Sequence, residues 1–189
     1  APKCMVVGRS SPGSTQLSFG NPYRSTGWRT ICVVSAEMVL ICIFGGAMQN
    51  LQFRYLSESN IAQIVPLMQD FTSHKYADDV LLQRLKSMFA NDYDCVAILL
   101  ENELIGFCGL WYQTRHYSGK SCELDHFYID ESFQGKGYGK QFLDWITSQL
   151  KTKGYEAIEL NAYKENKAGH RFYEREGFEH LGFHFVKRL

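Results

Sequence analysis

The stretch Gln134-Gly135-Lys136-Gly137-Tyr138-Gly139-Lys140 stands between two unlike segments. Residues 122–129 ahead of it read as a strand. Behind it Tyr138, Phe142, Ile146 and Leu150 recur at a spacing of four, the stripe of a helix. The three alternating glycines remove side chains that would stop an anion from approaching the backbone. The first N–H groups of the helix point outward and its dipole adds positive potential. Lys136 and Lys140 can add charge. Such a turn suits a pyrophosphate. It is not a dinucleotide-binding G-x-G-x-x-G turn, because Lys140 stands where the third glycine would fall. It is not a P-loop, because Gln141 follows Gly139-Lys140 and offers no hydroxyl for magnesium. The plain structural alternative is a flexible glycine turn without a ligand.

Outward from this turn the periodicities predict a mixed α/β sheet with helices on its faces. Toward the N-terminus, residues 53–56 read as a short strand. Asn60 with Gln63 fits a capping box ahead of the stripe Ile61, Ile64, Val65, Met68 and Phe71, with Pro66 distorting that helix. Asp78 and Asp79 open a second helix. Residues 95–100 and 104–113 form a hairpin around Glu101-Asn102-Glu103, and 115–120 a polar loop. Toward the C-terminus, Gly154 ends the helix after the glycine turn. Residues 157–163 read as a strand, 166–176 as a short helix ended by Gly177, and 178–189 as a last strand or hairpin.

A second pattern lies in that short helix: Asn166-Lys167-Ala168-Gly169-His170-Arg171-Phe172-Tyr173-Glu174-Arg175-Glu176-Gly177-Phe178. With Gln134, Gly137 and Gly139 matching [QR]-x-x-G-x-[GA], residues 52–189 resemble the GCN5-related N-acetyltransferase (GNAT) superfamily. Only Gly169 departs from the second pattern, N-x-x-A-x-x-[FL]-Y-E-x-x-G-F, where it replaces an alanine. That exchange weakens a helix by up to about 1 kcal/mol. The resemblance implies the GNAT fold, a mostly antiparallel sheet with one splayed parallel strand pair and helices on both faces.

The resemblance also implies the chemistry. Acetyl-CoA would be the co-substrate, with its pantetheine arm in the gap between strands 122–129 and 157–163. The backbone of Phe127, Tyr128 and Ile129 would pair with that arm. Gln134, Gly135, Lys136, Gly137, Tyr138, Gly139 and Lys140 would hold the pyrophosphate, and Asn166 would cap the last helix near the arm. Tyr173 occupies the family's general-acid position. A phenol suits the role because its pKa, about 10, is near the roughly 8.5 of a leaving thiol. Glu123, 11 residues before Gln134, occupies the place of the general-base glutamate of some members. The alternative for Tyr173 is a packed aromatic, and for Glu123 an ion-paired strand carboxylate. By a period of two, Asp125 shares the face of Glu123 and is the reserve base, while His126 points to the other face as a structural histidine. Trp111, Tyr112, His116 and Tyr117 are candidates for an aromatic wall of the acceptor pocket.

The 189 residues carry 20 basic and 20 acidic side chains. The zero balance argues against a dedicated nucleic-acid binder. It hides a boundary. Residues 1–47 hold Lys3, Arg9, Arg24 and Arg29 against Glu37, a net +3, and residues 48–189 hold 16 bases against 19 acids, a net −3. A net −3 favours a cationic acceptor over a transfer-RNA substrate. Residues 1–30 are rich in Ser, Gly, Thr and Pro. The run Ile31–Phe44, 14 apolar-rich residues with Glu37 inside, is too short to span a bilayer. It is a leader ending near Gly45-Gly46-Ala47, an extra element of the fold, or upstream sequence carried along. The last is favoured, so 1–47 is an extension and 48–189 the acetyltransferase domain. Cys4, Cys32, Cys42, Cys95, Cys108 and Cys122 show no C-x-x-C and no zinc spacing, which favours reduced thiols, no metal and a cytoplasmic protein.

Together these readings predict an enzyme that acetylates the primary amine of a small molecule or peptide by direct attack, without nucleic-acid or membrane partners, as a possible homodimer. The competing reading is an acyl-CoA-binding sensor or interaction module without turnover.

Overall fold

A computed structural model describes the backbone of Ile31–Val34, Met38–Phe44 and residues 47–188, with side-chain surroundings from residue 50 onward. The stretch 1–30, Glu37 and Gly45-Gly46 lie outside the described residues, as do the side chains of Cys32 and Cys42. Among the described residues seven strands form one sheet in chain order: β1 (Ile31–Val34), β2 (Met38–Phe44), β3 (Ala47–Leu56), β4 (Tyr93–Leu100), β5 (Glu103–Arg115), β6 (Gly119–Ile129) and β7 (Ala157–Leu160). Every neighbouring pair is antiparallel except β6 and β7, which are parallel. A parallel pair needs a crossover, here the helix α3 (Tyr138–Thr152). The run 31–44 supplies two strands that continue the sheet beyond β3.

The helices cover both faces. α1 (Val65–Phe71) and α2 (Asp78–Phe89) pack Val65, Met68, Leu81 and Leu85 against Cys95, Ala97 and Phe107 on one face. α3 packs Phe142, Leu143, Trp145, Ile146 and Leu150 against Leu51, Phe53, Val96, Ile98 and Leu124 on the other. Phe53 lies between Phe142 and Trp145, at 5.8 and 5.4 Å between ring centres. α4 (Lys167–Arg175) joins this side through Phe172.

Three local expectations change. The stripe from Ile61 divides into a 3-10 turn, Ile61–Ile64, followed by α1, with Pro66 in the first helical turn, where its missing N–H costs no helical bond. The capping box is not made. Asn60 instead accepts the Ser57 N–H at 2.8 Å, and Gln63 accepts from Arg54 at 3.2 Å. Residues 178–188 form no strand, and Leu181, Phe183, Phe185 and Val186 stand exposed. Their alternation defines a face, but a strand also needs a neighbour's backbone to pair with.

Candidate active site

The glycine turn is fixed at both ends. Asp130 accepts the Ser132 N–H at 2.9 Å and caps a 3-10 turn, Glu131–Phe133. Gln134 donates its side-chain N–H to the Ile129 carbonyl at 2.8 Å, tying the turn to the end of β6. Gly135 (φ 73°) and Gly137 (φ 84°) lie in the left-handed region, where an L side chain is strained. Among the described residues a Cβ at either would meet nothing within 4 Å, so these glycines border open space there. Gly139 is different: its Cβ would make ordinary 3.8 Å contacts with Ile129 and Phe172. The first helical bond of α3 is from Gln141 N–H to the Gly137 carbonyl at 3.2 Å, so helix geometry aims the first turn's amides at that space.

The flanking side chains divide by role. Tyr138 is buried, its ring 6.5 Å from Phe133, and offers the turn its backbone. Lys136 donates to the Ser132 carbonyl at 2.8 Å and lies over the Phe133 ring. Lys140 is committed to Asp144 at 3.0 Å and Glu176 at 3.1 Å, and these carboxylates raise its pKa. Two carboxylates compensate the charge that Lys140 was expected to lend an anion.

Beside the turn, β6 and β7 part. Their register runs from Ser121 opposite Ala157 to Leu124 opposite Leu160 and stops. β6 continues to Ile129 while the chain leaves β7 after Leu160, so Phe127, Tyr128 and Ile129 face a gap on that side. A bulge lies in the same place. Gly109 pairs with Asp125 and Phe107 with Tyr128, so Cys108 alone stands opposite both His126 and Phe127. His126 takes φ 54° to accommodate the extra residue.

The bulge overturns one expectation. Alternation placed His126 on the face opposite Asp125. Instead its ring packs edge-on to Phe71 of α1 at 5.5 Å and near Phe107 at 6.5 Å, and its Nε2 lies 3.4 Å from Asp125 Oδ1. Phe127 turns to the α3 face and stacks on Phe142 at 5.6 Å and Phe172 at 5.9 Å. Tyr128 turns back toward Phe71 and Phe107. Burial lowers the His126 pKa, and the Asp125 charge opposes that shift.

α4 closes the gap from the other side. Asn166 accepts the Gly169 N–H at 2.8 Å and caps the helix. Tyr173 projects from α4 to within 6.4 Å of Phe127, between Phe172 at 5.3 Å and Phe178 at 5.7 Å. Burial, with Cys108 nearby, pushes its phenol up to about 12.

Glu123 is fully engaged. One oxygen accepts from Arg115 at 3.2 Å and Gln113 at 3.4 Å, and the other from Asn161 at 2.6 Å. Arg115 also lies 3.1 Å from Glu159, which stands opposite Glu123 across the parallel pair. Burial would raise the Glu159 pKa. The hydroxyls of Ser118 at 2.7 Å and Tyr117 at 3.0 Å, with Arg115, outweigh it and hold the carboxyl low. The sequence reading placed Arg115 in a polar loop and missed its pairing with both acids. The repeated Glu in two strands of one parallel pair was the available signal.

The proposed aromatic wall is split. Trp111 packs on Tyr93 at 4.9 Å and donates to Asp125 at 3.2 Å. Tyr112 lies on the other face with Tyr155 and donates to Asp94 at 2.7 Å. His116 meets Tyr117 edge-on at 5.1 Å. Among the described residues no group of three or more His, Cys, Asp and Glu could hold a metal ion, and no helix is long and apolar enough to cross a membrane.

Comparison with known proteins agrees with this geometry. The profile of the "Acetyltransferase (GNAT) family" matches residues 61–178. A spermine/spermidine N(1)-acetyltransferase of Bacillus subtilis (strain 168) is 30% identical over 140 residues, covering 70% of this chain and 90% of that protein. An aminoalkylphosphonate N-acetyltransferase of Salmonella typhimurium is 29% identical over 92 residues, 48% of this chain and 60% of that protein. Among solved structures, an aminoglycoside N-acetyltransferase in complex with CoA superposes with a TM-score of 0.65 at 16% identity, over 75% of this chain and 95% of that one. The ribosomal-protein-alanine N-acetyltransferase of Brucella melitensis biovar Abortus 2308 gives 0.62 at 18% identity, over 74% and 99%. The expected fold, a mixed sheet with one parallel pair between helical layers, is the fold found, and the chain belongs to the GNAT family of acetyltransferases.

Proposed function

We propose that this N-acetyltransferase moves an acetyl group from acetyl-CoA to the primary amine of a small cationic molecule or a peptide, by direct attack of the amine. One observation carries the reading: the strand gap beyond Leu124 and Leu160 opens next to a left-handed glycine turn at a helix N-terminus. That pairing fits a long ligand with an amide-bearing arm and a pyrophosphate. Acetyl-CoA supplies an acyl thioester, reactive toward a neutral amine, and a thiolate leaving group.

The residues divide the work. Phe127, Tyr128 and Ile129 offer strand backbone to the arm. Gly135, Gly137, Gly139 and the first turn of α3 receive the pyrophosphate, with Lys136, held by the Ser132 carbonyl, as a nearby charge and Gln134 holding the turn in place. Asn166 fixes the start of α4. Tyr173 donates a proton or hydrogen bond to the departing thiolate. At about 12 its phenol stays protonated, and a thiolate in the same apolar surroundings is raised by the same desolvation, which narrows the gap between them. Glu123, Glu159 and Asp125 make an acidic edge beside the gap that suits a cationic amine. The polyamine named for the Bacillus relative agrees with that charge.

Cys95, Cys108 and Cys122 are free and buried, as in a reducing cytoplasm. The exposed Leu181, Phe183 and Phe185 offer apolar area that a second copy would cover in a homodimer. The test is release of CoA thiol from acetyl-CoA across polyamines, aminoalkylphosphonates, aminoglycosides and peptides. Turnover with one class identifies the acceptor. CoA binding without thiol release for any amine would replace the enzyme with a sensor.

A further inference from the structure

We propose that His126, oriented by Asp125, takes the proton from the acceptor ammonium, the role the family resemblance assigned to Glu123. The inference rests on the acetyltransferase reading. Both Glu123 oxygens are occupied by Arg115, Gln113 and Asn161, so that carboxylate must break an ion pair before it can accept a proton.

His126 is arranged differently. It sits on the bulge where β6 leaves β7, next to Phe127, and Phe127 touches Tyr173. The bulge sets acid and base on opposite sides of one strand at the mouth of the gap. Its φ of 54° is uncommon for a non-glycine residue, and here the bulge imposes it. Trp111 donates to Asp125 Oδ2, and Asp125 Oδ1 lies 3.4 Å from His126 Nε2. That carboxylate favours the tautomer protonated at Nε2 and leaves the Nδ1 lone pair available. Among the described residues Nδ1 is buried and has no hydrogen-bond partner. Phe71, at the end of α1 and 37% exposed, lies edge-on to the ring and is the group that must yield for an amine or one water to reach it.

The charges around the ring agree. Asp125 on its own strand is the charged neighbour that acts on it, and Cys108 stands opposite on β5. On α1, Asp70 pairs with His74 at 3.4 Å and bears on Tyr128. Burial keeps His126 neutral near pH 7, as an acceptor must be. In the step, one N–H bond of the ammonium breaks and its electron pair stays on nitrogen. The proton passes to Nδ1, directly or over one water, and Asp125 faces the resulting imidazolium. The amine lone pair is then free to attack.

The experiment combines a pH profile of kcat/KM for the amine with the ring tautomer of His126 from nitrogen-15 NMR. His126→Asn is the variant of choice because Asn tolerates a positive φ. Wild type should show a break below pH 6.5 besides the amine's own ionisation, and an Nε2–H ring at pH 7. His126→Asn should remove that break and lower kcat/KM about 100-fold at pH 7. Asp125→Asn should keep the break, lower the rate and populate the other tautomer, as a positioning role requires. Glu123→Gln should keep the break. A folded His126→Asn enzyme with the wild-type profile, or an Nδ1–H ring in wild type, overturns the inference alone. Absence of thiol release by wild type with every amine overturns the transferase reading and the inference with it.

Discussion

Gly169 and Asn166 are matched to each other: a Cβ on Gly169 would stand 2.7 Å from Cγ and 2.8 Å from Oδ1 of the Asn166 side chain that caps its helix. The glycine at the one position that departs from the family pattern thus has a local cause. Gly169→Ala should gain about 1 kcal/mol of helix propensity and lose about as much by displacing the cap. The expected melting temperature is unchanged within about 2 °C, where an unopposed gain would raise it by roughly 2–4 °C. The Kd for CoA should weaken, because Asn166 fixes the start of α4. A clear rise in Tm with unchanged CoA affinity would show that the cap tolerates the methyl group.

The two glycines that flank Tyr138 should respond differently. Gly137 needs a left-handed backbone, which costs a non-glycine residue about 1–2 kcal/mol, and its missing side chain borders open space. Gly137→Val should leave a folded protein that no longer binds CoA by calorimetry. Gly139→Ala makes only 3.8 Å contacts and should bind CoA within a few-fold of wild type. Equal losses from both would separate the turn from the pyrophosphate.

The glycine turn, the stripe of α3 and the Asn166 cap were legible because each is written within one turn or one helix. The bulge at His126 and Phe127 was not. One extra residue leaves no compositional mark, yet it moves His126 to the face of Asp125 and Phe127 to the face of α3. The Arg115–Glu123–Glu159 cluster was hidden because its members meet across three strands, and register depends on tertiary pairing. The strand-like residues 178–188 show the converse: a period of two without a partner gives an exposed segment.

Removal of residues 1–47 tests the boundary read from charge. Leu51, Phe53 and Leu56 lie in the buried clusters, and β3 keeps its pairing to β4 from Leu51–Leu100 to Leu56–Cys95. The shortened protein loses the β2 partner of residues 48–53 and exposes that edge. It should fold cooperatively and bind CoA as the full chain does, with a greater tendency to aggregate. Loss of cooperative unfolding would make β1 and β2 part of the domain.

Tyr173→Phe isolates the phenol from its packing. The ring contacts to Phe127, Phe172 and Phe178 survive the change, so the Kd for CoA should hold within about twofold. Only the O–H is lost, and with it the donor to the departing sulfur. A general-acid contribution of about 10²–10⁴ predicts a kcat loss of that order with little change in KM. Because burial places the Tyr173 phenol at about 12, its deprotonation should put no falling limb on the wild-type profile between pH 7 and 10. A thioester with a more acidic thiol needs less protonation as it leaves, so it should recover activity in Tyr173→Phe more than in wild type. An unchanged kcat in a variant that still binds CoA would leave Tyr173 as a packing residue and assign protonation of the thiolate to solvent.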